Sequence, residues 1–119
     1  MERRKTLNYF YRVPLKNVFM DFLKNSQNKI LVCVPTYNAE DCLSDTIKSI
    51  LRQTFKQFDI LIINNQSTDN TIEVAQQLKR DFDTENKIHI ITNKENIGRV
   101  GNWNQCIEIF RQTHHPYLK

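Results

Sequence analysis

Three short polar clusters carry the side chains with which this chain can meet a ligand. Pro35-Thr36-Tyr37-Asn38 follows the apolar run Ile30 to Val34, Asn64-Asn65-Gln66-Ser67-Thr68-Asp69 follows Asp59 to Ile63, and the stretch Asn93 to Gly101 follows Lys87 to Ile91. All three are rich in hydrogen-bonding groups and poor in apolar ones, which suits a polar ligand such as a nucleotide. Tyr37 offers a ring to stack on a base, and the Asn65 amide can donate to or accept from a base edge. Any single asparagine here can equally be a turn or cap residue. The convergence of three clusters therefore weighs more than any one side chain.

Gly98 and Gly101 are the only glycines, three apart in the third cluster. Such a pair allows positive φ and close backbone approach, which can admit a phosphate to a helix N-terminus, or it can simply make a tight strand-to-helix turn. The spacing is not G-x-G-x-x-G and no acidic ribose partner follows, which disfavours a Rossmann dehydrogenase.

The elements that must position these clusters alternate regularly. The run Ile30 to Val34 reads as a strand broken at Pro35. A helix over about Glu40 to Gln53 follows, with Leu43, Ile47, Ile50 and Leu51 on one face and Asp45 and Lys48 away from it. After Ser67-Thr68-Asp69, which can cap a helix, Ile72, Ala75, Leu78 and Phe82 recur at helical spacing. A helix carrying Trp103, Ile107 and Phe110 follows the glycine loop. Short apolar strands with little polar alternation are expected when both faces are covered. The predicted fold class is thus α/β, a three-layer, mostly parallel sheet with crossover helices. The three clusters then gather on one edge of the sheet. His114-His115-Pro116 reads as a turn carrying surface histidines, and Tyr117-Leu118-Lys119 as the first residues of a fourth strand.

Residues 1–29 form a separate basic extension. Leu15, Val18, Phe19, Phe22 and Leu23 make one helical stripe starting just after Pro14. Packing on the domain that follows is the plain role for this amphipathic helix. Peripheral attachment to a membrane surface is the sharper one, given Arg12, Lys16, Lys24 and the run Tyr9-Phe10-Tyr11.

The 119 residues allow one domain at most. Seven basic residues against Glu2 and Asp21 give the leading segment a net +5, and the ten basic and eleven acidic residues after it leave −1. The overall +4 therefore says nothing about the body binding nucleic acid, and no nucleic-acid partner is expected. Cys33, Cys42 and Cys106 are widely spaced with no C-x-x-C pair. Buried free thiols are expected of Cys33 and Cys106, in a reducing, cytoplasmic setting. No secretory h-region and no run approaching the ~18 residues of a membrane span is present.

Taken in order, Val34-Pro-Thr-Tyr-Asn38, Ser49-Ile-Leu-Arg-Gln-Thr54, Ile62-Ile-Asn-Asn-Gln-Ser-Thr-Asp69 and Asn96-Ile-Gly-Arg-Val-Gly-Asn-Trp-Asn104 resemble the opening half of family-2 glycosyltransferases, over about Lys29 to Lys119. The resemblance implies a GT-A fold, a nucleotide-diphosphate-sugar donor (a UDP-sugar foremost), a divalent metal (Mg²⁺ or Mn²⁺) and inverting sugar transfer, as in polysaccharide or glycoconjugate synthesis. It implies donor-binding roles for Pro35, Thr36, Tyr37, Asn38, Asn64, Asn65, Ser67, Asn96, Gly98 and Arg99.

Two departures from the family pattern stand out. Asn64-Asn65 occupies the place where Asp-Asp or Asp-Asn is usual, so Asn65 brings no charge to a base. Asn102-Trp103-Asn104 stands where Ala-Arg-Asn is common, leaving Arg99 as the nearest basic residue to a phosphate. The family's metal-binding D-x-D follows the fourth strand, and this sequence ends as that strand begins. Residues 30–119 are therefore expected to be a partial domain without metal site, catalytic base or acceptor site. Asp81-Phe82-Asp83 matches the letters only, because helical positions two apart diverge by about 200°. The competing expectation is a non-catalytic α/β interaction module using an exposed sheet edge and the N-terminal helix.

Overall fold

The computed structural model describes residues 29–112 and 117–118. The elements run β1 (Ile30–Thr36), α1 (Leu43–Leu51), β2 (Phe58–Asn64), α2 (Thr71–Phe82), β3 (Ile88–Thr92), α3 (Gly98–Gln112) and β4 (Tyr117–Leu118). The amphipathic segment within residues 1–29 and the His114-His115-Pro116 turn lie outside the described residues. Among the described residues no helix is long and apolar enough to cross a membrane.

The four strands are parallel, in the order β3-β2-β1-β4. All seven residues of β2 are buried, which is why its sequence is nearly continuous in isoleucine and leucine. Successive β2 side chains enter different cores. Phe58, Ile60 and Ile62 meet Leu43 and Ile47 of α1 and Ala75 and Leu78 of α2, whereas Leu61 and Ile63 meet Cys106 and Ile109 of α3. Each fully buried isoleucine contributes roughly 2 kcal/mol of apolar burial.

The strand order explains the placement of the helices. From β1 to β3 the chain steps one way along the sheet. It then returns across β1 to β4, and right-handed crossovers of opposite direction put their helices on opposite faces. The reversal makes the carboxyl end of β1 the topological switch point, where open α/β sheets leave a crevice.

Two expectations about helix faces are corrected. By spacing Phe82 belongs to the α2 stripe, but it is 46% exposed, with Lys48 Nζ 5.2 Å from its ring centroid. On α3, Trp103 and Ile107 are 52% and 43% exposed, and Asn102, Gln105, Cys106 and Ile109 are buried instead. The Asn102 amide explains its own inward position, since Nδ2 donates to the Ile63 carbonyl at 3.2 Å and Oδ1 accepts from Asn93. Cys106 is buried as expected, Cys33 half-buried and Cys42 exposed.

Candidate functional site

The three strand ends are level. Thr36 is opposite Asn64, which is opposite Thr92, and the ladder continues one step further through Asn65 N–H to Thr36 O (2.8 Å) and Asn93 N–H to Asn64 O (2.9 Å). The polar clusters therefore leave the sheet side by side, as a parallel arrangement requires.

A cleft of about 560 Å³ opens at this edge, between the end of β1 and the first turns of α3. Pro35, Thr36 and Tyr37 line it from β1, Asn65 from the loop after β2, and Asn96, Gly98 and Arg99 from the loop and start of α3. Asn102 and Trp103 also line it. Neither was among the expected site residues. By sequence Asn102-Trp103 is only a departure from a motif, and Trp103 groups with the apolar residues of its helix. The available signal was their position one turn past Gly98, on a helix that starts at the cleft.

Asn38, Asn64 and Ser67 do not line this cleft. They join the loops behind it. Asn38 Oδ1 accepts from the Thr68 N–H at 2.8 Å, and the Asn38 N–H donates to Ser67 Oγ at 3.0 Å. Asn64 Oδ1 accepts from both the N–H (3.1 Å) and the hydroxyl (2.6 Å) of Ser67. Asn38 adopts φ 49°, a left-handed conformation that asparagine tolerates better than most residues. Asp69 extends the same tie: Oδ1 accepts from the Thr71 N–H at 2.9 Å and from the Thr71 hydroxyl, and Oδ2 accepts from the Glu40 N–H at 3.3 Å. Desolvation, the largest single influence, pushes the Asp69 carboxyl up. The hydrogen bonds from the Thr71 hydroxyl, the Thr71 and Glu40 N–H groups and its own N–H together outweigh it and hold the carboxyl below its usual range.

Asn65 is the hub of the cleft floor and only 3% exposed. Its Nδ2 donates to Asn96 Oδ1 (3.0 Å) and to the Gly98 carbonyl (3.2 Å). Its Oδ1 accepts from Asn93 Nδ2 (2.8 Å) and the Ile97 N–H (3.0 Å). A primary amide has two donor hydrogens and two acceptor lone pairs, so all four positions are engaged within the protein. Asn96 Oδ1 also accepts from the Gly98 N–H at 2.8 Å. That bond orients the amide so that Asn96 Nδ2, which has no partner among the described residues, is the free end. Gly98 takes φ +80° at the start of α3, so the left-handed turn expected of a glycine falls there. Gly101 lies within the helix, where an added Cβ would meet Ile97 Cγ1 at 3.2 Å.

The cleft is thus walled by the half-exposed Tyr37 and Trp103 rings, with free donors from Asn96 and from Arg99, which has no ion-pair partner among the described residues. Donors without carboxylates suit an anionic ligand. They do not suit a divalent metal, which takes convergent oxygen ligands. No carboxylate, histidine or cysteine lines the cleft, and among the described residues no group of three or more such side chains could hold a metal ion. Asp83, in the D-x-D look-alike, is committed elsewhere: it accepts from the Lys87 N–H (2.6 Å) and the Ile88 N–H (2.9 Å) and pairs with Lys79 at 3.1 Å.

Comparison with known proteins agrees with this geometry. Residues 31–114 match the family described as Glycosyl transferase family 2. An uncharacterized glycosyltransferase, YibD of Escherichia coli strain K12, is 35% identical over 88 residues, which are 73% of this chain and 24% of that protein. Among solved structures, Staphylococcus aureus TarS 1-349 in complex with UDP superposes with TM-score 0.62 at 22% identity, over 76% of this chain and 25% of that one. The mannosyltransferase PcManGT from Pyrobaculum calidifontis, in complex with GDP-Man and Mn²⁺, does so with TM-score 0.59 at 18% identity, over 83% and 30%. The chain spans between 24% and 33% of the length of three curated relatives it matches. With the family match running from the first residues of β1 to beyond α3, and the sheet and its crossover helices arranged as in GT-A-like structures, this chain belongs to glycosyl transferase family 2.

Proposed function

We propose that the cleft binds the nucleoside diphosphate part of a nucleotide-sugar donor, UDP foremost, and that the chain supplies the donor-binding side of a sugar transfer. The observation that carries this reading is the meeting of three strand-end loops, from β1, β2 and β3, around one cleft at the switch point of a parallel sheet. The UDP complex of the similarly folded TarS supports the choice of nucleotide.

In this reading Tyr37 stacks on the base, while Arg99 and Asn96 Nδ2 donate to the diphosphate. Asn65 holds the floor, because its amide cannot turn to a base without losing protein partners. Asn38, Asn64 and Ser67 keep the β1 and β2 loops together and act on the ligand through that shape. A cleft lined by amides and a guanidinium, with no carboxylate, supports weak binding by this chain that is largely independent of Mg²⁺ or Mn²⁺. The acceptor, and the group that activates it, are not assigned to any residue described.

Isothermal titration of the 119-residue chain with UDP, UMP and uridine, with and without Mn²⁺, tests the reading. Weak UDP binding that is insensitive to Mn²⁺ and stronger than uridine binding is expected. A folded chain that takes up none of the three overturns it.

A further inference from the structure

Cys33 and Cys106 are far apart in the sequence and adjacent in the fold. Cys33 alternates with Val32 and Val34 on β1, so it points with Leu31 to the α3 side of the sheet, where it packs against the core that holds Cys106. The Cys106 thiol donates to the Asn102 carbonyl at 3.7 Å, and Cys33 packs against the cluster that contains it. Both line a second, apolar cavity of about 220 Å³, together with Pro35, Trp103, Ile107 and Leu118. Cys106 is only 6% exposed, but the cavity, flanked by the exposed Trp103 and Ile107 side chains, gives a small reagent a route to the pair.

We propose that Cys33 and Cys106 form an oxidisable thiol pair, a modification site that closes to a disulfide on exchange with a low-molecular-weight disulfide. The neighbouring Cys33 thiol is the largest influence on Cys106 and pulls its thiol down. Cys33 is pushed up by the neighbouring Cys106 and by burial, so the first proton leaves from Cys106. The Cys106 thiolate attacks one sulfur of the small disulfide, forming a mixed disulfide and releasing one small thiolate. Cys33 then gives up its proton and attacks the Cys106 sulfur, and the second small thiolate leaves. Two protein thiols lose two electrons and two protons, and the small disulfide becomes two thiols.

The cross-link would tie β1 to α3 beside Pro35 and Trp103, which also line the larger cleft. The site stands independently of what that cleft binds. Cys42 is exposed, and its Sγ lies near the Ala39 carbonyl at the start of α1, so it serves as an internal comparison.

The test uses the full chain carrying Cys42→Ser, a change at an exposed position. The protein is exposed to oxidised glutathione, remaining thiols are alkylated, and peptides are mapped by mass spectrometry. The expected result is joint loss of both alkylatable thiols and a peptide linking Cys33 to Cys106, both reversed by dithiothreitol. Emission from Trp103, the sole tryptophan, should fall in parallel because a neighbouring disulfide quenches indole fluorescence. Adding Cys33→Ser should abolish the linking peptide and leave Cys106 as a glutathione adduct that dithiothreitol removes. Two thiols that stay alkylatable under conditions that consume Cys42 in the parent chain overturn the proposal, as do stable glutathione adducts without a cross-link.

Discussion

Asn93 Nδ2 lies 2.8 Å from Asn65 Oδ1 and 3.0 Å from Asn102 Oδ1, so one buried amide joins the loop after β2 to the first turns of α3. This contact ties the loops after β2 and β3 and the start of α3 into one cleft wall. At position 65 the site uses both the donor and the acceptor end of the side chain.

Asn65→Asp is therefore expected to destabilise the chain. A carboxylate retains the bonds from Asn93 and Ile97 but turns an acceptor toward Asn96 Oδ1 and the Gly98 carbonyl. Losing two donors and burying a charge at a 3% exposed site should cost about 2–3 kcal/mol, read as a lower midpoint in urea unfolding.

Asp69 predicts a pH dependence. Its folded pKa is depressed, so its contribution is complete above the unfolded value of about 3.9 and is lost as pH falls from there through the folded pKa. Thermal unfolding followed by circular dichroism between pH 7 and pH 2 should show an acid limb that Asp69→Asn flattens in its lowest part. An unchanged acid limb would remove Asp69 from the account.

Arg99→Ala should weaken UDP binding about tenfold and uridine binding little, because a charge-assisted bond to phosphate is worth roughly 1.5 kcal/mol. Its melting temperature should be unchanged, since Arg99 is exposed and has no ion pair among the described residues. Titration calorimetry with the two ligands separates a phosphate contact from a general loss.

Tyr37→Ala tests the other end of the ligand. Base stacking is worth about 1–3 kcal/mol, so UDP and uridine should both lose at least about fivefold in affinity. Equal affinity for wild type and variant would place the base elsewhere in the cleft.

Gly98→Ala and Gly101→Ala should differ for reasons that spacing alone does not reveal. An alanine at Gly98 meets no atom within 4 Å but must hold φ +80°, at a cost of about 1–2 kcal/mol. At Gly101 the helix gains roughly 1 kcal/mol in propensity, offset by crowding of the Ile97 side chain at 3.2 Å. Denaturant unfolding should thus rank Gly98→Ala clearly below Gly101→Ala in stability.

Much of this molecule can be read along the chain. The apolar runs at Ile30, Asp59 and Lys87, with helical spacing between them, specify a parallel α/β sheet, because strands covered on both faces leave no polar alternation. That architecture alone sends the Pro35, Asn65 and Asn96 clusters to one edge. Periodicity speaks only for its own element, however. It does not say that Trp103 and Ile107 face outward while Asn102 and Gln105 face in, since that rotation of α3 is chosen by the hydrogen bond that Asn102 donates to Ile63 and the one it accepts from Asn93. Nor does it show that the Asn65 amide is saturated, or that Cys33 and Cys106 line one cavity. Those facts depend on the return crossover that lays α3 over β1, a long-range packing choice in which distant residues become neighbours only once both sheet faces are buried.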